Sequence, residues 1–414
     1  MPESSIPANR DFAPAALPAV AAARAAMLSG IAPLDNEIVT LAQSLGRVLA
    51  APVVASRDQP PFSISEMDGY AVIAADTPGR LSLIGESAAG RGFAGKCEKG
   101  MSVRISTGAA IPAGADAVVI QEDVTRDESF LTVPQVRPGQ HIRPRAMDFS
   151  TGTALLEAGR KLDGVALALA AAAGAAQLSV MRRPRIAILS GGDELAEPDT
   201  TPGPLQIFDS GSHGIAALVR AWGGEPRRLQ LQKDDVNAIA RAAEQGLNDS
   251  DLLVIIGGAS VGDHDHARPA LLRLGLKLAV EKIQLRPGKP TWFGATPHGA
   301  VLGLPGNPAS ALVCAHLFLR PLIEAMLGRD PEISVTMRRA RLLQALPANG
   351  PREHYLRARL SDDSAGQLTV QAFEQQDSSL LSVFASANAL IRMLPGAPAA
   401  QAGALVDVLP LGSL

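Results

Sequence analysis

Between residues 14 and 51 alanine and leucine recur around isolated charges such as Arg24 and Glu37, a pattern that predicts helix until the prolines of APVVASRDQPPFS break it. From 53 to about 151 the pattern changes to short apolar segments, LSLIG, MSVRIS, DAVVIQE and FLTVPQV, separated by Gly, Pro and Asp, and these predict a β-rich domain. The run VALALAAAAGAA (165–176) returns to helix; its small side chains suit close packing, and it is shorter than the ~20 residues that span a bilayer. A new rhythm starts at Arg185. RIAILS, RRLQLQ, LLVIIGG and KIQL alternate with GIAALVRAW and DDVNAIARAAEQGL, as in a parallel sheet with crossover helices. PGNPASALVCAHLFLRPLIEAML then predicts a long helix capped by Asn307 with Pro308 in its first turn. The remaining segments, VTMRRARLL, HYLRARL, QLTVQAF and ALVDVLPL, predict a small terminal β domain.

Four regions follow from these breaks: a helical region of 14–52 with 152–183, an inserted β-rich domain over 53–151, an α/β domain over 184–330 and a β domain over 331–414. The 38 Lys and Arg nearly balance the 41 Asp and Glu across 414 residues, with no basic block to track a phosphate backbone, so nucleic acid is not an expected partner. Cys97 and Cys314 are too few for a disulfide framework or a cysteine-rich zinc site. Together with an acidic, proline-bearing start, MPESSIPANRDFAPAALPAV, they lead to the expectation of a cytoplasmic, non-exported, membrane-free protein.

Candidate chemistry gathers at glycine turns. GRGFAGK (90–96) has the letters of a dinucleotide fingerprint, but CEKGMSVRIST follows as turn and strand, so no helix start is available to hold a phosphate and a plain loop is expected. IIGGASVGDHDHAR (255–268) is different: Asp265 follows an apolar strand, where open α/β sheets bind ligands, and Gly257, Gly258 and Gly262 let amides approach an anion. His264 and His266 alternate with acids and point to opposite sides of an extended loop, so they read as dispensable solvated residues. RIAILSGGDELAEP repeats the arrangement, placing Gly191 and Gly192 before Asp193 and Glu194, of which Glu194 is the expected functional acid. LRPGKP adds Arg286 and Lys289 as a third edge loop, and GLPGNP adds exposed amides at a helix start. Acids, cations and amides together suit a phosphorylated ligand with a divalent metal.

SEMDGYAV, RISTGAAIPAGADAVV, SGGDEL, GGASVGDHD, RPGKP and GLPGNPAS, in this order over nearly the whole chain, resemble the molybdopterin molybdotransferase family of the MoeA and gephyrin E-domain type. The resemblance implies an α/β multidomain fold: a central three-layer α/β molybdopterin-binding domain, a helical domain, an inserted β-rich domain and a C-terminal β-barrel. It implies an elongated homodimer whose sites are shared between the β domain of one subunit and the α/β domain of the other. The implied reaction takes adenylylated molybdopterin and molybdate to molybdenum cofactor and AMP, with Mg²⁺, and an adenylyltransferase hands over the substrate. Carried over motif by motif, Asp68, Thr107, Asp148, Glu194, Asp234 and Asp265 are the implied catalytic residues, with Glu194, Asp234 and Asp265 also metal ligands. Lys282, Arg286 and Lys289 would bind phosphate and oxoanion, Pro305 and Pro308 would shape the wall, and Arg357 and Ser378 would close the site.

Read alone, Asp234 could be only a helix cap and Thr107 only a turn residue. The chain also departs from the family pattern. Ser63 replaces an acid and Glu66 adds one; Gly191 replaces a hydroxyl residue, Met147 an acid and Asp377 a glycine; and Arg286 stands where lysine is common. Two competing functions remain open at this level: a non-catalytic pterin-binding scaffold, and a molybdopterin adenylyltransferase, which shares the α/β domain alone.

Overall fold

A computed structural model describes residues 17–257 and 266–412, which fall into two compact units, Asn36–Val180 and the remainder.

In the Asn36–Val180 unit, alternating apolar residues build a six-stranded sheet from β1 (Gly69–Val72), β2 (Gly79–Ser87), β3 (Met101–Ile105), β4 (Ala117–Ile120), β5 (Thr125–Asp127) and β6 (Phe130–Val133), in the order β4-β1-β3-β2-β6-β5. Tyr70 and Val72 pack with Val119 and Leu131 on one face of β1, and Ala71 packs with Val103 and Val118 on the other. GRGFAGK is followed by β3 and no helix, as the composition of the next residues requires.

The helical expectation for 14–52 needs correction. Among the described residues its one α-helix is α1 (Val20–Leu28), which belongs to the other unit; Asn36–Thr40 is a strand pairing Gln177–Met181 and runs into a 3-10 turn at Leu41–Gln43, and Val53–Val54 pairs with Ala154–Leu156. α1 ends at Leu28 with Ser29 and Gly30 in a turn, Pro33 disfavours its resumption, and the following Ile38, Val39 and Thr40 are β-branched, which favours extended chain. The alanine-rich segment does form α2 (Gly164–Ala172), capped by the Asp163 carboxylate accepting from Ala166 N–H at 2.7 Å. Ala166, Ala170 and Ala173 let it lie close on Leu49, Val53, Leu156 and Val180.

The second unit holds the α/β sheet: β7 (Arg185–Ser190), β8 (Glu225–Arg228), β9 (Leu252–Ile256), β10 (Lys277–Val280), β11 (Trp292–Thr296) and β12 (Gly299–Leu304), in the order β8-β7-β9-β12-β11-β10. The first four in that order run parallel, and β11 and β10 extend the sheet antiparallel. The sheet is therefore mixed where an all-parallel one was expected. KIQL is also not one of its strands: Leu285–Arg286 instead pairs with Glu353–His354 of the terminal domain. Helices α4 (Val236–Asn248) and α5 (Ala267–Arg273) bury Ile239, Ala243 and Leu271 against Leu189, Leu253 and Ile255 on one face. Helices α3 (Gly211–Ala221) and α6 (Pro308–Met326, with a π-helical turn at Ala315–Leu319) pack on the opposite face, completing three layers. α6 is long and apolar enough to cross a membrane by length and composition, but 83% of it is buried inside the protein, so it is a core helix.

Strands β13 (Arg338–Leu342), β14 (Glu353–Asp362), β15 (Leu368–Ala372), β16 (Ala389–Met393) and β17 (Leu405–Pro410) close into a five-stranded barrel because β14 pairs with both β15 and β16. Ala340, Leu342, Ala358, Val370 and Val408 fill its interior.

Gly303 in β12 leaves room for the fully buried Trp292; a Cβ there would stand 2.0 Å from the indole. Gly303→Ala is expected to destabilise this unit by about 1–3 kcal/mol through overpacking, measured as a lower urea midpoint with unchanged m-value.

Candidate active site

Register creates the main cleft. Ser190 of β7 pairs with Ile256 of β9, and Ile256 with Leu304 of β12, so three neighbouring parallel strands end level. Each continues into glycine: Gly191 and Gly192, Gly257, and Gly306 after Pro305. Gly257 has φ +88°, and a Cβ there would lie 3.2 Å from the Gly191 carbonyl, so the turn is suited to glycine twice over. The result is a cleft of about 570 Å³ lined by Gly191, Gly192, Glu194, Asp209, Asp234, Gly257, Pro290, Pro305, Asn307 and Pro308 among others.

Glu194 and Asp234 thus line the same cleft, Glu194 from the glycine turn after β7 and Asp234 from the segment before α4. The Glu194 carboxylate folds back over Gly192, whose absent Cβ would meet it at 2.3 Å. Asp193 contacts the Asp234 backbone N–H at 3.5 Å, a weak tie between the two turns. The cap of α4 is Asp235, whose carboxylate accepts from Ala238 N–H at 2.6 Å, so capping does not account for Asp234. Asp265 lies outside the described residues, as do Asp263, His264, Gly258 and Gly262; His266 precedes α5 and lines a narrow recess with Asp234.

Asp209 is a cleft residue that sequence reasoning missed. It is 3% exposed, and both its oxygens engage Ser212, the backbone N–H at 3.0 Å and the hydroxyl, at the start of α3. Arg228 donates to the Ser212 hydroxyl at 2.7 Å and to Glu197 at 2.8 Å, fixing the assembly from behind. The available signal was FDSGS before an amphipathic helix, which reads as a cap. The Ser190 hydroxyl, adjoining Gly191, is buried without a hydrogen-bond partner among the described residues.

The RPGKP loop is not an edge loop of the α/β sheet, because Leu285–Arg286 joins β14. Pro290 lines the cleft, whereas Arg286 lines a separate hollow of about 360 Å³ with His354 and Gln376. Burial, then the positive charge of Arg286, Arg352 and Arg357, pulls the His354 imidazole down to about 4, so it is neutral near pH 7. Lys282 is half-buried and Lys289 exposed; the Lys289 carbonyl accepts from Ile283 N–H at 3.1 Å.

Arg357 is 1% exposed, and its guanidinium donates to the Asp377 and Leu380 carbonyls at 2.7 and 3.4 Å and to Gln376 at 3.2 Å. These bonds shape the segment that carries Ser378, whose hydroxyl accepts from Asn307 Nδ2 at 3.0 Å on the cleft rim. Ser378 thus meets the cleft through Asn307, and Arg357 holds the segment that carries it.

In the other unit, Thr107 N–H donates to Asp68 Oδ1 at 2.8 Å, and both residues are exposed. Asp148 lies on a loop held by Asp58, which accepts from Thr151 N–H at 2.7 Å, from its hydroxyl at 2.8 Å, and from Arg145. The unusual residues are absorbed locally: Ser63 Oγ accepts from Arg145 N–H at 3.3 Å, Glu66 stands 3.8 Å from Arg143, and Asp377 accepts from Ser379 N–H at 2.9 Å. Met147 stays 62% exposed.

Residues 18–174 match the MoeA N-terminal region (domain I and II), 187–325 a probable molybdopterin binding domain, and 339–411 the MoeA C-terminal region (domain IV). A molybdopterin molybdenumtransferase of Haemophilus influenzae is 33% identical over 95% of this chain and 98% of its own, and one from Nostoc is 37% identical over 78% and 76%. The chain belongs to the MoeA family. The crystal structure of the molybdopterin biosynthesis MoeA protein from Pyrococcus horikoshii superposes with a TM-score of 0.85 at 29% identity, covering 96% of this chain and 100% of that one. The expected architecture of an α/β domain, β domain and terminal barrel is that of this MoeA fold, with less helix than the sequence pattern suggested.

The loop around Asp148 has its own pH dependence. Hydrogen bonds from the Thr151 backbone and hydroxyl, then from Arg145, hold Asp58 down to about 2 from the usual 3.8. A lowered carboxyl contributes order that is present above pH ~4 and is lost as pH falls towards 2. Asp58→Asn should leave the sheet folded while speeding amide exchange at Thr151 at neutral pH; exchange as slow as in the unsubstituted protein would contradict the clamp.

Proposed function

We propose that this MoeA-family chain transfers molybdenum from molybdate to adenylylated molybdopterin and releases AMP. Family membership makes it a transferase of molybdenum cofactor biosynthesis. The observation that supports the finer reading is that Glu194 and Asp234 line the same cleft as Gly191, Gly192, Gly257 and Gly306.

Glu194 and Asp234, with Asp265, are proposed to hold Mg²⁺. The donor chemistry fits: Mg²⁺ prefers oxygen, and one or two carboxylates suffice when substrate phosphates and waters complete its shell. Bound there, the ion would neutralise charge on the phosphoanhydride. The residues have separate tasks. Gly191, Gly257 and Gly306 admit the phosphate close to backbone amides, Pro305 and Pro308 keep the wall rigid, and the acids orient attacking water. Lys282, Arg286 and Lys289 are proposed to supply cations for pterin phosphate and oxoanion, with Arg286 acting from the hollow it shares with His354 and Gln376, where its fork suits a tetrahedral oxoanion. Ser378 would touch substrate at the rim, and Arg357 would hold its segment. Asp68, Thr107 and Asp148 are proposed to act in the same reaction.

A homodimer, substrate handover from an adenylyltransferase and a cytoplasmic location complete the reading; two buried, unpaired cysteines accord with a reducing compartment. An adenylyltransferase would form adenylylated pterin, whereas this chain is proposed to consume it. The presence of Glu194 and Asp234 on the cleft favours catalysis over a scaffold role.

Purified protein given adenylylated molybdopterin, molybdate and Mg²⁺ should release AMP, and Asp234→Asn or Glu194→Gln should slow release by on the order of 10²-fold with the circular-dichroism spectrum intact. Wild-type rates in both variants would overturn the assignment. Arg286→Ala is expected to raise the molybdate concentration needed for half-maximal rate several-fold at low salt; no change there would remove Arg286 from oxoanion binding.

A further inference from the structure

The cleft carries an apolar feature that acids and glycines do not explain. Immediately after the loop from Glu194, the two-residue strand Leu195–Ala196 pairs in parallel with Ile207–Phe208. Ile207 N–H donates to the Glu194 carbonyl at 2.7 Å, and Asp209 N–H to the Ala196 carbonyl at 2.9 Å, so this strip is fixed to the backbone of a cleft acid on one side and to the base of α3 on the other. Both Ile207 and Phe208 line the cleft, yet they are 59% and 47% exposed. Aromatic residues make up 3% of the chain, and no other aromatic residue lines this cleft among the described residues. A large apolar side chain held on a rigid strip beside charged groups, and left in water, is a surface prepared for a flat apolar partner.

We infer that Phe208, supported by Ile207, is a stacking platform for a planar heteroaromatic ring of the substrate. The inference rests on the proposed cleft and adds how that cleft recognises a ring. Carboxylates and amides next to the strip would take the charged part of the ligand, and the platform would take the ring. Both the pterin and the adenine have such a ring; separate ligands tell them apart.

Direct binding tests this without turnover. Calorimetry with AMP, with unsubstituted pterin and with pyrophosphate would be run on the wild type, Phe208→Ala and Phe208→Tyr, with Mg²⁺ present. Stacking on one aromatic side chain corresponds to roughly a tenfold change in affinity. Phe208→Ala should therefore lose about tenfold for AMP or for pterin, whichever ring stacks, and bind pyrophosphate as before; Phe208→Tyr should restore the loss. Unchanged affinity for both ring ligands would overturn the platform while leaving the cleft assignment standing. An equal loss for pyrophosphate would make Phe208 part of the wall's structure and overturn stacking, as would a shift in sedimentation with unaltered affinity, which would assign the strip to contact between copies. A wild type that binds none of the three ligands would overturn the cleft reading and the platform with it.

Discussion

Parallel pairing of β7, β9 and β12 is the constraint on which the site depends. Because Ser190, Ile256 and Leu304 end in register, the three turns that follow are forced to open at one level, and their glycines leave a trough walled by backbone. The strands achieve this by burial: Ile186, Ile188, Leu252, Leu253, Val254, Val301 and Leu302 are all closed to solvent. Each such side chain contributes roughly 1.5–3 kcal/mol when buried. Apolar alternation between helices on both faces therefore sets the height of polar groups at the sheet edge. The packing is doing the positioning, and the loops inherit it.

Electrostatics then divides the labour between neighbouring acids. Asp209, Asp235 and Asp58 accept backbone N–H bonds and are spent on holding helix starts or loops. Glu194 and Asp234 face the cleft instead. The same division applies to the cations: Arg228 and Arg357 are consumed by internal partners, whereas Arg286 opens onto a hollow. A buried guanidinium bonded to carbonyls shapes a loop; an exposed one is free to meet an anion.

Most of the architecture was legible because it depends on periodicity. The α/β segments, α2, α6 and the terminal strands follow directly from apolar spacing. The stretch after Pro33 was misread because the alanine-rich run before the proline was carried across it over Ile38, Val39 and Thr40, and pairing with distant Gln177–Met181 decides such cases. KIQL failed for a related reason: Leu285–Arg286 finds its partner in another domain, and no local pattern encodes that. Glu194 was expected on the cleft because a glycine turn at a strand end carries it, whereas Asp234, with no glycine beside it, was named only through the family resemblance. Asp209 and Phe208 were missed because a capping sequence and a lone aromatic residue look ordinary until folding places them on the same trough. Arg357 was named from its motif, but its burial beneath Ser378 is a tertiary fact.

The central claim is that close backbone approach at the level strand ends creates the ligand site. Calorimetric titration of AMP into wild type and Gly257→Val, with urea unfolding alongside, tests it most directly. A valine side chain would project at the Gly191 carbonyl and into the trough, so the expected result is loss of AMP binding with a cooperative fold retained. Undiminished AMP affinity in that folded variant would contradict it.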